Sequence, residues 1–179
     1  MQKFILILSL LLASTSVFAE ELTAEQKAAL QKHVEKVKTW ASDPAIVSAV
    51  KAVNTSALAD YKDMNQEKWK ALPVLDPKVR YFSKTPAAEV LKAKKDEVVT
   101  EAFLNAADGS KVAFLAKTSN WTHKGKGKHD DPMNGKTWQG PIEMDESTGL
   151  KSIQVAVPVT DGGKNIGSLT VGFSITKLK

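Results

Sequence analysis

The sequence predicts an α+β domain in which the helices come first and a five-stranded antiparallel sheet comes last. Two observations carry this. Before about Val98 the apolar residues recur at helical spacing behind repeated cap-then-proline signals, and from Val98 to Lys179 they alternate with period two between turn residues. Helical segments followed by a run of strands, rather than strands alternating with helices, indicate α+β rather than a parallel α/β sheet.

The chain opens on an address. Met1-Gln2-Lys3 carries one positive charge, Phe4 to Ala13 is apolar but short for a membrane span, and Val17-Phe18-Ala19 offers the small residues a signal peptidase requires. Cleavage is expected after Ala19, leaving residues 20–179 as one exported, soluble domain, helical over 20–97 and mainly β over 98–179. The ~160 residues that remain suit one core rather than two. After Ser174 only a few residues follow, so any signal is expected to be relayed by another protein, a membrane receptor or a periplasmic partner.

Thr23 with Gln26 forms a capping-box pattern, and Leu30, Val34, Val37 and Ala41 follow at helical spacing. Asp43-Pro44 restarts the pattern, with Ile46, Val47, Val50 and Val53 as the buried stripe. Asn54 to Ser56 breaks it. Ala57 to Ala71 reads as a further helix with Leu58, Tyr61, Trp69 and Leu72 inward, ended by Pro73. Asp76-Pro77 and Thr85-Pro86 open a short helix and then one running to about Lys95.

The strands are expected at Val98 to Ala106, Lys111 to Lys117, Ile142 to Asp145, Lys151 to Val159 and Asn165 to Ile175. Their turns lie at Asp108-Gly109, Ser147-Thr148-Gly149 and Asp161-Gly162-Gly163. Between the second and third strands, Thr118 to Gly140 reads as one irregular loop. In the fourth strand Ile153, Val155, Val157 and Val159 point one way and Ser152, Gln154 and Ala156 the other. The fifth repeats this, with Leu169, Val171, Phe173 and Ile175 opposite Ser168, Thr170, Gly172 and Ser174. The apolar face needs the helices as its partner layer. The small polar face either meets water or forms the floor of a pocket lidded by the loop.

Charge and composition exclude several functions. The formal net charge of +5 falls by one when Lys3 is cleaved away, and the surplus is spread along the chain, unlike the dense basic stripe of a nucleic-acid binder. The absence of cysteine rules out thiolate-bound zinc, c-type haem attachment and disulfides, and favours a bacterial periplasm over a disulfide-dependent eukaryotic secretome. No nucleophile elbow, HExxH helix or dinucleotide glycine fingerprint is present. Ser147 reads as a turn residue, and the adjacent Asp145 and Glu146 face opposite sides of a strand end, so no catalytic residue and no cofactor are assigned.

Ser42-Asp43-Pro44-Ala45-Ile46-Val47, the Asp108-Gly109 hairpin, Thr118-Ser119-Asn120-Trp121, Asp145-Glu146-Ser147-Thr148-Gly149, Gln154 to Val159, and Asp161 to Gly167 form a group of motifs. Together they resemble the Cache, or PDC, sensor domains of bacterial extracytoplasmic receptors, and more closely their stand-alone exported forms. The most specific part is the closing strand-turn-strand, Pro158 to Gly172. The resemblance implies a PAS-like five-stranded antiparallel sheet with a long N-terminal helix packed on it and a pocket for a small metabolite such as an organic acid or amino acid. The region between Trp121 and Trp138 departs from the amino-acid-binding pattern, so the ligand is not carried over.

With the pocket placed there by the resemblance, Trp121 and Trp138 are expected as flat apolar walls, and His123, His129 and Thr118 as hydrogen-bonding groups. The competing reading of the tryptophans is that they pin the loop to the domain. His123 and His129 with Asp130 and Asp131 offer metal-ligand atoms, but their spacing matches no compact metal motif, and no metal site is assigned. Lys124, Lys126 and Lys128 read either as a solvated run or as a basic rim steering an anion.

Overall fold

Each helix of the first half begins where a side chain can satisfy its free N–H groups. The computed structural model describes residues 21–56, 58–144 and 150–179; the expected export signal, Ala57 and the expected turn at 147–149 lie outside these. Helix α1 (Ala24–Ala41) opens on a complete Thr23–Gln26 capping box, and α2 (Pro44–Thr55) on Asp43, whose carboxylate accepts from Ala45 N–H. The helix expected over 57–71 is instead a 3₁₀ turn, Ala59–Tyr61, followed by α3 (Gln66–Ala71). The break has a local cause: the Asn65 side chain accepts from Lys68 N–H at 2.9 Å and starts a new helix there. Asp76 caps α4 (Pro77–Phe82) and Thr85 caps α5 (Pro86–Lys94), as the cap-then-proline signals predict.

Five strands follow: β1 (Val99–Ala106), β2 (Lys111–Phe114), β3 (Trp138–Met144), β4 (Lys151–Asp161) and β5 (Lys164–Ser174). They form one sheet in the order β2-β1-β5-β4-β3 with every neighbouring pair antiparallel, so the last strand is the central one. Gly109 turns the β1–β2 hairpin at φ +82°, and Gly162 and Gly163 turn the β4–β5 hairpin, also at positive φ. Two expectations are corrected. The segment 118–140 is not a single irregular loop, because it contains helix α6 (Gly127–Met133). The third strand begins at Trp138 rather than Ile142, carrying Gly140 and Pro141 through a register shift between Gln139 and Ile142 on the sheet edge.

The period-two reading of the faces holds. Leu104, Ile153, Val155, Val157, Leu169, Val171 and Phe173 are buried in one cluster with Leu30, Val34 and Val37 of α1, Ile46 and Val50 of α2 and Leu91 of α5. A second, aromatic cluster is separate from it, with Phe103 between Ala102 and Leu104 of the first: Tyr61, Trp69 and Phe82 pack with Phe103, Phe114 and the partly buried Trp121. Trp121 stacks on Tyr61 at 5.8 Å and lies 5.2 Å from Trp69. No helix among the described residues is long and apolar enough to cross a membrane.

These two clusters predict two separate mutational costs. Phe173, 1% exposed and 4.9 Å from the His33 ring, leaves a cavity under α1 when truncated, so Phe173→Ala is expected to cost about 3–5 kcal/mol in a urea unfolding experiment. Trp121→Ala removes a partly exposed ring from an aromatic cluster and is expected to cost about 2–3 kcal/mol, below the usual range for a fully buried aromatic. An unchanged urea midpoint in either variant would contradict the packing described for that residue.

Candidate functional site

The face of the sheet turned away from the helical layer is built from small and polar residues set in register across three strands. Glu101 of β1, Gly172 of β5 and Gln154 of β4 form one row; Phe103, Thr170 and Ala156 form the next; Asn105, Ser168 and Pro158 form a third. Residues two apart on a strand share a face, so the rows make one continuous surface. Helix α6 lies over it, in contact with β5, β4 and β3. Trp138 seats this helix closely: a Cβ at Gly127 would stand 2.7 Å, and one at Gly140 2.6 Å, from the Trp138 ring.

Beneath α6 runs a buried hydrogen-bonded chain. Lys111 Nζ donates to Asn105 Oδ1 at 3.2 Å and to His123 Nδ1 at 2.7 Å. Asn105 Nδ2 donates to Ser168 Oγ at 3.2 Å; the Ser168 hydroxyl donates to His129 Nδ1 at 2.8 Å; His129 Nε2 donates to the Ala107 carbonyl at 3.3 Å. This order gives every group the role it can fill and places the proton of both imidazoles on Nε2. The His123 ring also stacks on Phe103 at 4.5 Å. Burial, with the nearby Lys111 and Lys128 charges, pushes His123 down to about 2. Burial first, and then the Lys128 charge, hold Lys111 well below the ordinary lysine range, against the opposing pull of Glu101.

Beside this chain opens a cleft of about 810 Å³. Its floor includes Glu101, Phe103, Ser152 and Gln154, one wall runs from Ala116 to Asn120, and His123, Lys128 and Glu143 border it. Lys128 Nζ donates to Gln154 Oε1 and lies 5.7 Å from the Trp138 ring and 5.9 Å from that of Phe103. Burial lowers the Lys128 pKa while Glu101 and Glu143 oppose the shift. Lys117 is tied to the wall, donating to the Leu72 carbonyl at 2.7 Å.

The structure places the five expected ligand-binding residues differently. Thr118 and His123 line the cleft. His129 belongs to α6 itself and is buried on the side facing the sheet, with both ring nitrogens engaged in the polar chain. Trp138 lies behind Lys128 and against two glycines. Trp121 belongs to the aromatic cluster and borders a separate cavity of about 230 Å³ with Tyr61 and Met64. Of the lysine run, Lys124 and Lys126 are exposed and only Lys128 turns inward. Among the described residues no three or more His, Cys, Asp or Glu side chains are grouped to hold a metal ion. Sequence reasoning does not single out Glu101 or Lys111. A lysine beside a hairpin turn reads as outward, and only the register shift between Leu104 and Asn105 brings Lys111 opposite Asn105 on the polar face.

The buried histidines give the fold an acid sensitivity of defined sign. His33, His123 and His129 all have lowered pKa values, so below the unfolded value near 6.5 the unfolded chain takes up protons that the folded chain refuses. Their stabilising contribution is complete above pH 6.5 and is lost as the pH falls from there, for His123 down to about 2. His123 alone is expected to contribute a slope of up to about 1.4 kcal/mol per pH unit in that window. Urea midpoints measured from pH 7 to pH 4 should fall steeply, and His123→Gln should flatten the dependence; a midpoint independent of pH would contradict the burial of neutral imidazoles.

The chain matches no protein-family model, and no curated protein matches it. Solved structures do match. The ligand-binding domain of the Pseudomonas aeruginosa PAO1 amino acid chemoreceptor PctC, in complex with GABA, superposes with a TM-score of 0.50 at 13% identity over 86% of this chain and 58% of that one. The sensor domain of E. coli DcuS superposes with a TM-score of 0.51 at 11% identity, covering 87% of this chain and 96% of that one. The chain thus spans 58% of the chemoreceptor domain but nearly the whole of the DcuS domain. Its single five-stranded sheet, with α1 packed on one face and the cleft on the other, is the fold of the Cache, or PDC-type, sensor domains.

Proposed function

We propose that this protein is an exported, non-enzymatic module that binds a small metabolite in the periplasm and passes its occupancy to a membrane receptor or another periplasmic protein. The observation that supports this most is the cleft itself: a concave site of about 810 Å³ that combines an inward-turned lysine, two carboxylates, a carboxamide and a buried histidine on a rigid sheet. The chemoreceptor domain of similar fold that holds GABA supports a ligand with a carboxylate, an organic acid or an amino acid. In this reading Thr118 and His123 offer hydrogen bonds, Lys128 faces the carboxylate, and Trp138 holds Lys128 in place. His129 acts from below through Ser168 and Asn105, and Trp121 braces the wall. Lys124 and Lys126, outside the cleft, act on the rate of encounter.

A panel of small carboxylates and amino acids screened by thermal shift on residues 20–179 tests this. A ligand at a hundred times its Kd should contribute about 2.7 kcal/mol, which for a domain of this size raises Tm by roughly 5–10 °C. Lys128→Ala should weaken that ligand about tenfold or more, whereas neutralising Lys124 and Lys126 should mainly flatten the salt dependence of association. A panel without a single stabilising compound would remove the binding reading, and full affinity in Lys128→Ala would move the site out of this cleft.

A further inference from the structure

Across the middle of the cleft floor, one carboxamide bridges a cation and an anion. Glu101, Gly172 and Gln154 stand in register on β1, β5 and β4, and the central position carries no side chain. Gln154 and Glu101 therefore meet over Gly172. A Cβ added there would stand 2.7 Å from Thr100 Oγ1 and 2.8 Å from Glu101 Cγ. Gln154 Nε2 donates to Glu101 Oε1, and Gln154 Oε1 accepts from Lys128 Nζ. The two ends of one neutral amide are thus spent on two charged groups, the stronger kind of hydrogen bond. One hydroxyl borders the bridge, Thr100 Oγ1, and a second, Thr170 Oγ1, stands in the next row of the sheet. Both are buried without a hydrogen-bond partner among the described residues, and Thr100 lines the cleft. The orphaned Thr100 hydroxyl beside the bridge marks a floor arranged for more polar atoms than the described residues supply.

Resting on the reading of this cleft as a small-molecule site, we infer that Gln154 is its specificity-determining residue. Its carboxamide holds the places that a ligand's own acceptor and donor take, and a ligand binds by displacing it. The consequence is a selection rule. A molecule with only a carboxylate replaces the amide oxygen at Lys128 but offers Glu101 nothing in exchange for the amide N–H. A molecule carrying an anionic and a cationic group as close together as the two ends of an amide recovers both bonds. The side chain also acts as an internal competitor: affinity is reduced by the fraction of molecules in which the bridge is closed.

The test is an NMR titration of residues 20–179 with three probes: glycine, with both charged groups, acetate, with the carboxylate alone, and methylammonium, with the ammonium alone. Wild type is compared with Gln154→Ala and with Gln154→Asn, whose amide is one methylene too short to span Lys128 and Glu101; melting temperatures establish that the variants fold. Both variants are expected to bind glycine about tenfold more tightly than wild type, and wild type to prefer glycine over either single-group probe. Glycine binding that is unchanged or weaker in both variants would overturn the role of Gln154 and leave the cleft as a binding site. Failure of all three probes to bind any of the three proteins, with the bridge opened by mutation, would overturn the inference together with the cleft reading.

Discussion

The arrangement on the polar side of the sheet depends on one buried lysine, Lys111. Lys111 has no exposed surface, and its Nζ finds its hydrogen bonds on two neutral groups, Asn105 and His123. A buried polar group of this kind is tolerated only when its neighbours are used as partners, and here they are used in sequence through Ser168 and His129 to the Ala107 carbonyl. The chain fastens the segment 118–140 to the sheet at two points, His123 and His129. That accounts for the position of α6, a seven-residue helix whose N-terminus has no side-chain cap and which contains Pro132. Local propensity alone would not hold such a helix; its docking does.

The aromatic cluster serves the same cleft from the opposite wall. Trp69 Nε1 donates to the Thr118 carbonyl at 2.7 Å, while the Gln66 side chain donates to the Ser119 carbonyl and accepts from Trp121 N–H, both at 2.9 Å. The backbone that presents Thr118, Ser119 and Asn120 to the cleft is therefore gripped by α3, and the Trp121 ring secures the grip from within the cluster. A cleft built this way takes its shape from residues that do not line it, Gln66, Trp69 and Trp121.

How much of this was legible in the sequence follows from which physics each element obeys. Thr23, Asp43, Asp76 and Thr85 start their helices where a capping side chain is written next to the helix it serves. The alternation in 151–175 reveals the two faces because a strand's period is strict. What stayed hidden depends on distant partners. Helix α6 is disguised by Gly127 and Pro132, which locally signal a loop, and is held by Trp138 and by Ser168 through His129. The inward turn of Lys111 follows from a one-residue register shift, and the crossing of Glu101 and Gln154 from the bareness of Gly172 between them. Trp121 and Trp138 look alike in sequence, two tryptophans at the ends of one loop, and only the tertiary fold sends one into the aromatic cluster and the other behind Lys128.

The placement of Pro141 reaches beyond the cleft. A sheet with two edge strands invites a strand from another molecule, above all while the chain is incompletely folded. On one margin, β2 offers only four residues. On the other, β3 carries a proline that cannot donate and an irregularity that twists the strand away from straight pairing. Both margins are thus poor templates for intermolecular β-pairing, which protects a domain with no disulfide to staple it from growing by accretion.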